Sequence, residues 1–223
     1  MNDPVKRRPY SSQTRREAAI RTRQAVLAAA SQLFVERGYA GMTMQAVADE
    51  AGVVVDTVYA AVGTKPSIVR ELIEAAISGT GARVPAEDRD YVQRIRAAPS
   101  AQTKLTIYAR AMRRIHARLA PLVIALRDAS SLHPELAALW QEISERRANN
   151  MRLLADDLLA TGEIRPGISR DELADLIWAT NSPEFYVLLV GQRHWSARRY
   201  ERWLGDAWIR LFLARRDQSE PTQ

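Results

Sequence analysis

Apolar side chains recur along most of the chain at the three- and four-residue spacing of helices, and no stretch alternates convincingly with the two-residue period of a strand. The pattern is clearest near the C-terminus, where apolar residues occupy positions 200, 203, 204, 207, 208, 211 and 212. These positions form one face of a helix predicted over 197–215. The pattern as a whole predicts an all-α protein of about nine to ten helices.

Capping and helix-breaking residues set the expected ends of these helices. Thr14 starts the first helix, in a Thr-x-x-Glu capping box, and Gly38 ends it; Ile20, Leu27, Ala30 and Phe34 form its apolar stripe. Later prolines, glycines and a second capping box at Ser169 supply the other boundaries. The predicted helices cover 15–37, 44–51, 55–62, 64–79, 86–97, 100–118, 121–131, 134–161, 170–190 and 197–215. Pro183 is expected to kink the helix over 170–190.

The glycines and the proline between Gly79 and Pro85 predict a domain boundary. We expect a flexible basic arm over 1–13, an N-terminal helical domain over 14–80, a larger domain over 81–216 and a disordered tail over 217–223. The first 23 residues, which include the arm, are basic, because they hold seven basic and two acidic side chains.

Residues 43–62 predict two helices of about two turns each, joined through Gly52. Helices this short are unstable alone, so they must pack on a third helix, which the stripe ending at Phe34 supplies. Met44, Val47 and Val58 are expected to face inward. This arrangement is typical of a helix-turn-helix, whose second helix enters the major groove of DNA.

Composition agrees with a folded protein that has a polyanionic partner. The chain of 223 residues is 47% hydrophobic and 26% charged, carries a net charge of +6 and contains no cysteine. Disulfides, thiolate metal sites and cysteine nucleophiles are therefore excluded. No apolar run is long enough for a membrane span and the N-terminus lacks the apolar core of a secretory signal, so we expect a cytoplasmic protein without a membrane partner.

The segment G-V-V-V-D-T-V-Y-A-A-V-G-T-K at 52–65 resembles the recognition segment of TetR/AcrR family transcriptional regulators, in which T-[LV]-Y is followed by three residues and then G-[ST]-K. The ending F-x-x-x-G-Y at 34–39 and the helix start at Thr43 are also similar. The resemblance is strong over 15–75. It implies a bacterial, nucleoid-associated regulator with an N-terminal three-helix DNA-binding domain and a C-terminal helical domain for ligand binding and dimerisation.

The same resemblance implies which residues contact DNA. Thr43, at the start of a helix, would hold a DNA phosphate, as would the side chains of Tyr59 and Lys65. The first residues of the second short helix would approach base edges. Val54, Ala60 and Ala61 depart from the family pattern and weaken the expected base readout. The predicted DNA-binding residues are Thr43, Gln45, Val54, Val55, Asp56, Thr57, Tyr59 and Lys65.

In this family the last two helices pair with those of a second copy, which implies a homodimer on a palindromic double-stranded operator. An apolar stripe of this kind is alternatively the core of a single subunit. The predicted interface comprises Leu173, Ile177, Tyr200, Trp203, Leu204, Ala207, Trp208 and Leu211.

The larger domain of such a regulator senses a small molecule, and the sequence leaves the identity of this effector open. Large side chains with a polar group suit a mostly apolar pocket, so we expect a hydrophobic or aromatic effector. The candidate ligand-binding residues are Tyr108, Met112, His116, Asp128, Trp140, Trp178 and Asn181.

Two other function classes compete with a DNA-binding regulator. An enzyme is disfavoured because the three histidines are far apart in sequence and no catalytic, metal-binding or cofactor motif is present, so no catalytic residue, metal or cofactor is predicted. The alternative is a helical protein-interaction module of the same fold that has lost DNA binding, which the residues Val54, Ala60 and Ala61 keep open. The reading that the sequence favours is a DNA-binding repressor released from its operator by the effector.

Overall fold

The computed structural model describes residues 10–80 and 84–214, and within these ranges the chain forms ten α-helices and no strand. One antiparallel bridge joins Ile164 to Leu213. None of the described helices is long and apolar enough to cross a membrane. Residues 1–9 of the predicted arm, including Lys6, Arg7 and Arg8, and the predicted tail lie outside the described residues; residues 10–13, assigned to the arm, belong to the first helix.

The all-α prediction is confirmed. A short 3₁₀ turn over Ala86–Asp88 and a π-helical segment over Val187–Gln192 accompany the α-helices. The α-helices are α1 (Tyr10–Gly41), α2 (Met44–Ala51), α3 (Val55–Val62), α4 (Lys65–Ser78), α5 (Asp90–Ala97), α6 (Ala101–Ser130), α7 (Pro134–Leu159), α8 (Arg170–Thr180), α9 (Pro183–Tyr186) and α10 (Ala197–Phe212).

The chain divides into two compact units, Met1–Ile73 and Glu74–Gln223. The division falls inside α4, earlier in the chain than the Gly79–Pro85 segment that the sequence suggested as a boundary. A single helix therefore carries the backbone from the first unit into the second.

The first unit has a core formed by all four of its helices. α1 contributes Leu33 and Phe34, and the short helices contribute Val47 and Val58, all of which are fully buried or nearly so. The apolar stripe of α1 begins later than predicted, because Ile20 is 50% exposed. The buried positions of α1 start only at residue 26, and residues 13–21 are exposed.

One continuous helix, α6, replaces the two helices predicted on either side of Pro121. Proline inside a helix removes one backbone hydrogen bond and normally bends or ends the helix. Here Pro121 is exposed, while Leu119, Leu122 and Val123 around it are buried. Packing of the same apolar stripe on both sides of the proline holds the helix together, which sequence spacing alone did not indicate.

The predicted helix over 170–190 is not kinked but broken. α8 ends at Thr180, and Pro183 opens α9, where its missing N–H costs little. Ser182 caps the new helix, because its Oγ accepts a hydrogen bond from the Phe185 N–H at 3.1 Å. The backbone carbonyl of Asn181, left at the break, lies 2.9 Å from His116 Nε2 on α6.

Burial determines the charge state of His116. Its side chain is buried, and burial together with the positive charge of Arg147 lowers the pKa of His116 to about 4, against a smaller opposing effect of the Asn181 hydrogen bond. The imidazole is therefore neutral at pH 7, and its Nε2–H donates to the Asn181 carbonyl. Protonation of His116 at acidic pH therefore destabilises the folded state.

We predict that the free energy of unfolding falls as the pH drops from about 6.5 towards 4. The unfolded chain binds a proton at His116 in this window while the folded chain does not, and the difference in pKa corresponds to about 3 kcal/mol. Urea unfolding followed by circular dichroism at several pH values measures this loss.

The His116→Gln variant keeps an N–H donor without titrating, so it is expected to flatten the pH dependence in that window. The exposed His194 provides a matched control, and His194→Asn should leave the slope unchanged. Equal slopes in the wild type and in His116→Gln would contradict the assignment.

Candidate nucleic-acid interface and cavity

The two short helices of the first unit meet at a tight turn centred on Gly52. Gly52 has φ 67° and ψ 35°, a left-handed conformation that glycine adopts without steric cost. Its N–H bonds the carbonyls of Ala48 and Asp49, which closes the end of α2. α3 then begins after Val54 and runs to Val62, the bounds expected from the sequence.

Thr43 is the N-cap of α2. Its Oγ1 accepts a hydrogen bond from the Ala46 N–H at 3.0 Å, so the hydroxyl proton stays available to donate outward. The residue is exposed, and the free N–H groups of a helix N-terminus favour an anion. Gln45 is also exposed, and its amide is held by Asp49 at 2.7 Å.

The inner side of α3 is buried through Val58 and Val62, and its other side faces outward. Val54, which is 68% exposed, precedes the helix without providing a side-chain cap, as its residue type implies. The exposed residues of this outer side are Val54, Asp56, Tyr59 and Ala60, with Val55, Thr57 and Ala61 partly exposed.

Lys65 begins α4 beside this surface. Its ammonium nitrogen lies 4.0 Å from the centre of the Tyr39 ring, a cation–π contact that restricts the long side chain. α4 is also joined to α1 by an ion pair between Arg23 and Glu71. The eight predicted DNA-binding residues thus lie on or beside the α2–α3 pair, and none of them is buried.

The second unit contains a cavity of about 630 Å³ between its helices. The largest part of the wall comes from α6 and α7, and the break between α8 and α9 closes one side. Most of the wall is apolar, with Met112, Ile115 and Leu154 among its side chains. A volume of this size suits a medium-sized organic molecule.

Six of the seven predicted ligand-binding residues line this cavity, and they are Tyr108, Met112, His116, Trp140, Trp178 and Asn181. Asp128 does not line it: its carboxylate is exposed and lies beside Arg127. Sixteen helical positions separate Met112 from Asp128, which rotates Asp128 by about 160° to the other side of α6.

The cavity wall contains a polar cluster of which the sequence predicted Tyr108, Trp178 and Asn181 but not Arg147. The guanidinium of Arg147 donates to Asn181 Oδ1 at 2.8 and 3.3 Å and to the Trp178 carbonyl, and it lies 4.6 Å from the Trp178 ring. Asn181 Nδ2 in turn donates to the Tyr108 hydroxyl at 2.5 Å. Arg147 was missed because Arg-Arg-Ala-Asn-Asn within a long helix is typical of a solvated surface.

Burial shapes the chemistry of this cluster. It raises the pKa of Tyr108 far above its usual value, an effect that nearby Tyr91 reinforces, so the phenol stays protonated. Burial also lowers the pKa of Arg147, although the guanidinium remains charged at neutral pH. Among the described residues, no group of three or more His, Cys, Asp or Glu side chains is arranged to hold a metal ion.

The predicted interface residues separate into two sets. The structure buries five of them completely within their own subunit, which corrects their assignment to a partner-facing surface. Trp208 illustrates the reason: its Nε1–H donates to Thr180 Oγ1 at 2.8 Å and its ring stacks on Tyr108, so this side of α10 faces α8 and α6. The five are Leu173, Ile177, Tyr200, Leu204 and Trp208.

The other three, Trp203, Ala207 and Leu211, share a more accessible flank of α10. Each stands one residue before a buried position, so the apolar stripe of α10 is wide enough for two neighbours. Phe185 stacks on Trp203 with ring centres 5.4 Å apart, and Trp195 contacts the same ring edge-on at 6.1 Å. An aromatic surface therefore continues beyond α10.

Comparison with known proteins finds a family model that is similar to part of the first unit. A family model described as bacterial regulatory proteins, tetR family, matches residues 26–72. This range includes α2, α3 and most of the α1 core that supports them. No curated protein matches the chain.

Solved structures extend the likeness over both units. A transcriptional regulator from Saccharomonospora viridis in complex with choline is 19% identical, with a TM-score of 0.64 over 86% of this chain and 98% of its own. The fatty acid degradation regulator FadR from Bacillus halodurans is 18% identical, with a TM-score of 0.66 over 84% and 94%. SmeT in a complex with triclosan is 16% identical, with a TM-score of 0.67 over 90% and 96%.

At identities this low the solved structures support a shared fold, and the family model supports a resemblance over residues 26–72, which include α2 and α3. Over residues 26–72 the chain therefore resembles the bacterial regulatory proteins of the tetR family, and over both units it shares the fold of the solved regulators.

Proposed function

We propose that this protein is a DNA-binding transcriptional regulator of the TetR family, a homodimeric repressor that binds a palindromic operator and leaves it when a small molecule occupies the cavity. The observation that carries the proposal is the arrangement of α2 and α3. Val58 and Val62 fix the inner side of α3, its outer side stays accessible, and the capped start of α2 at Thr43 provides an anion site beside it.

Selection of bound duplexes from a random pool tests the DNA half of the proposal. A dimer with two recognition helices should enrich a palindrome whose half-sites are centred about 10 base pairs apart or a multiple of this. Enrichment of no duplex at any salt concentration would contradict the proposal. It would favour the protein-interaction alternative, for which exposed Val54 and Ala60 provide an apolar contact surface.

Substitutions should separate phosphate contacts from base contacts. Lys65→Ala is expected to weaken binding to all duplexes about evenly and to lower the slope of log affinity against log salt by about one. Thr57→Ala is expected to cost about 1–3 kcal/mol only at particular base pairs. Fluorescence anisotropy on the selected palindrome and on its single-base variants measures both effects, and the same profile for both variants would contradict this division of roles.

We assign the dimer contact to the accessible flank of α10. Trp203, Ala207 and Leu211 present an apolar surface there, and aromatic side chains are typical of stable interfaces. Ala207 lies between the other two along the helix, so a partner would cover it.

Replacing Ala207 with arginine should therefore separate the subunits. A charge buried without a partner costs about 3 kcal/mol, which raises the dimer dissociation constant about a hundredfold. Sedimentation equilibrium measures this constant. Asp206→Arg, which adds the same side chain at an exposed neighbouring position, should leave it unchanged. A variant Ala207→Arg that dimerises like the wild type would place the interface elsewhere.

The cavity is the proposed effector site. Its mostly apolar wall suits a hydrophobic or aromatic molecule, and the solved complexes of similar regulators with choline and triclosan support a small-molecule ligand. Binding can shift the operator equilibrium only if the effector prefers one of the two dimer conformations.

α4 provides a route for this coupling, because its backbone continues from the first unit into the second. Its last turns are attached within the second unit at two points: Glu74 pairs with Arg146 on α7 at 2.7 Å, and the Ala76 carbonyl accepts from Arg118 on α6 at 3.1 Å. Ile77 lines the cavity itself. A ligand that displaces α6 or α7 would therefore displace α4.

Loss of the Glu74–Arg146 pair should weaken the coupling. For a releasing ligand found by screening, we expect Glu74→Gln to bind both the ligand and the operator but to show a several-fold smaller drop in operator affinity when the ligand is added. Glu172→Gln, an exposed glutamate on α8, is the control. An unchanged drop in Glu74→Gln would exclude this ion pair from the coupling.

A further inference from the structure

Arg147 is a cation that the protein leaves without a counter-charge. Its guanidinium is bound by neutral groups, namely the Asn181 amide oxygen, the Trp178 carbonyl and the Trp178 ring. No described carboxylate forms an ion pair with it; the acidic side chain whose field reaches it, Glu184, is itself paired with Arg127 at 3.3 Å. A partly buried arginine in this state gains from an added anion.

One edge of this guanidinium is also free to bind. The hydrogen bonds of Arg147 use Nε and Nη2, and among the described residues Nη1 has no hydrogen-bond partner. Nη1 is also not completely buried. Arg147 lines the cavity, and the geometry of Asn181 and Trp178 fixes its orientation.

The rest of the wall describes the other part of the ligand. Most of the remaining wall is apolar or aromatic, with Met112, Trp140 and Ile143 among its residues. Three acidic residues also line it, Glu87, Asp157 and Glu184, of which Asp157 pairs with Lys104 and Glu184 with Arg127. An organic cation is disfavoured, because Arg147 already covers one face of the Trp178 ring and its positive charge would repel a second cation. The site therefore differs in charge from one suited to a quaternary ammonium ligand.

We infer that the effector is a medium-sized organic acid whose carboxylate binds Arg147 Nη1 while its hydrocarbon or aromatic part lies against the apolar wall. This inference rests on the proposed function, since it specifies the ligand class of the proposed effector site.

Matched probes that differ only in the head group test this inference. Isothermal titration calorimetry of the full chain at pH 7.5 compares octanoate, 1-octanol and octyltrimethylammonium, all below their micelle concentrations. It also compares 1-naphthylacetate with 2-(1-naphthyl)ethanol. We expect at least one acid to bind about tenfold or more tightly than its own alcohol, and the ammonium compound to bind more weakly than octanol.

Variants then locate the charge effect. Arg147→Gln should remove the advantage of the acid over the alcohol, while the affinity for the alcohol should stay within about threefold of the wild type. Arg147→Lys should retain part of the advantage because it keeps the charge. Arg152→Gln is the matched control: Arg152 lies on the same helix, is exposed and does not line the cavity, so its affinities should equal those of the wild type.

Several outcomes would overturn the inference: neither acid binds, the alcohols or the ammonium compound bind as tightly as the acids, or Arg147→Gln weakens acid and alcohol equally. If Arg147→Gln does not fold, as judged by circular dichroism, the ranking of head groups in the wild type decides alone. Duplex binding without ligand is measured in parallel. A protein that binds its palindrome but prefers no acid contradicts this inference and leaves the proposed function standing.

Discussion

The structure of the first unit depends on the burial of two helices that are too short to be stable alone. α2 and α3 have eight residues each, and their order comes from a shared core with α1 and α4, in which Phe34, Val47 and Val58 are fully buried. Because the inner side of α3 supplies this stability, its outer side is free to vary. Residues such as Val54 and Asp56 can therefore serve recognition without weakening the fold.

The same separation between support and function recurs in the second unit. The long helix α6 packs on α5, α7, α9 and α10, yet it also presents Tyr108, Met112 and His116 to the cavity. The break between α8 and α9 leaves the Asn181 carbonyl to His116 and its amide to Arg147 and Tyr108. An interrupted helix thus organises the polar groups of an otherwise apolar wall.

Local signals explain which parts of the fold could be predicted from the sequence. Thr43 and Gly52 act through hydrogen bonds within a few residues, and both short helices have the predicted ends. The continuity of α6 through Pro121 and the burial of Tyr200 depend on contacts between distant segments, which periodicity does not describe. Arg147 has the sequence context of a surface residue. It lines the cavity because α7 packs against α8, a contact that the local sequence does not indicate.

The central claim is that the outer side of α3 faces a DNA duplex, and a chain without cysteine allows a direct test. An iron chelate attached to Val54→Cys and activated on the selected palindrome should cut the DNA at two symmetric clusters, one in each half-site. The same chelate on Leu132→Cys, an exposed residue of the second unit, provides the comparison. Two clusters from Val54→Cys with little cutting from Leu132→Cys are expected. Uncut DNA from Val54→Cys, or equal cutting from both, would contradict the account.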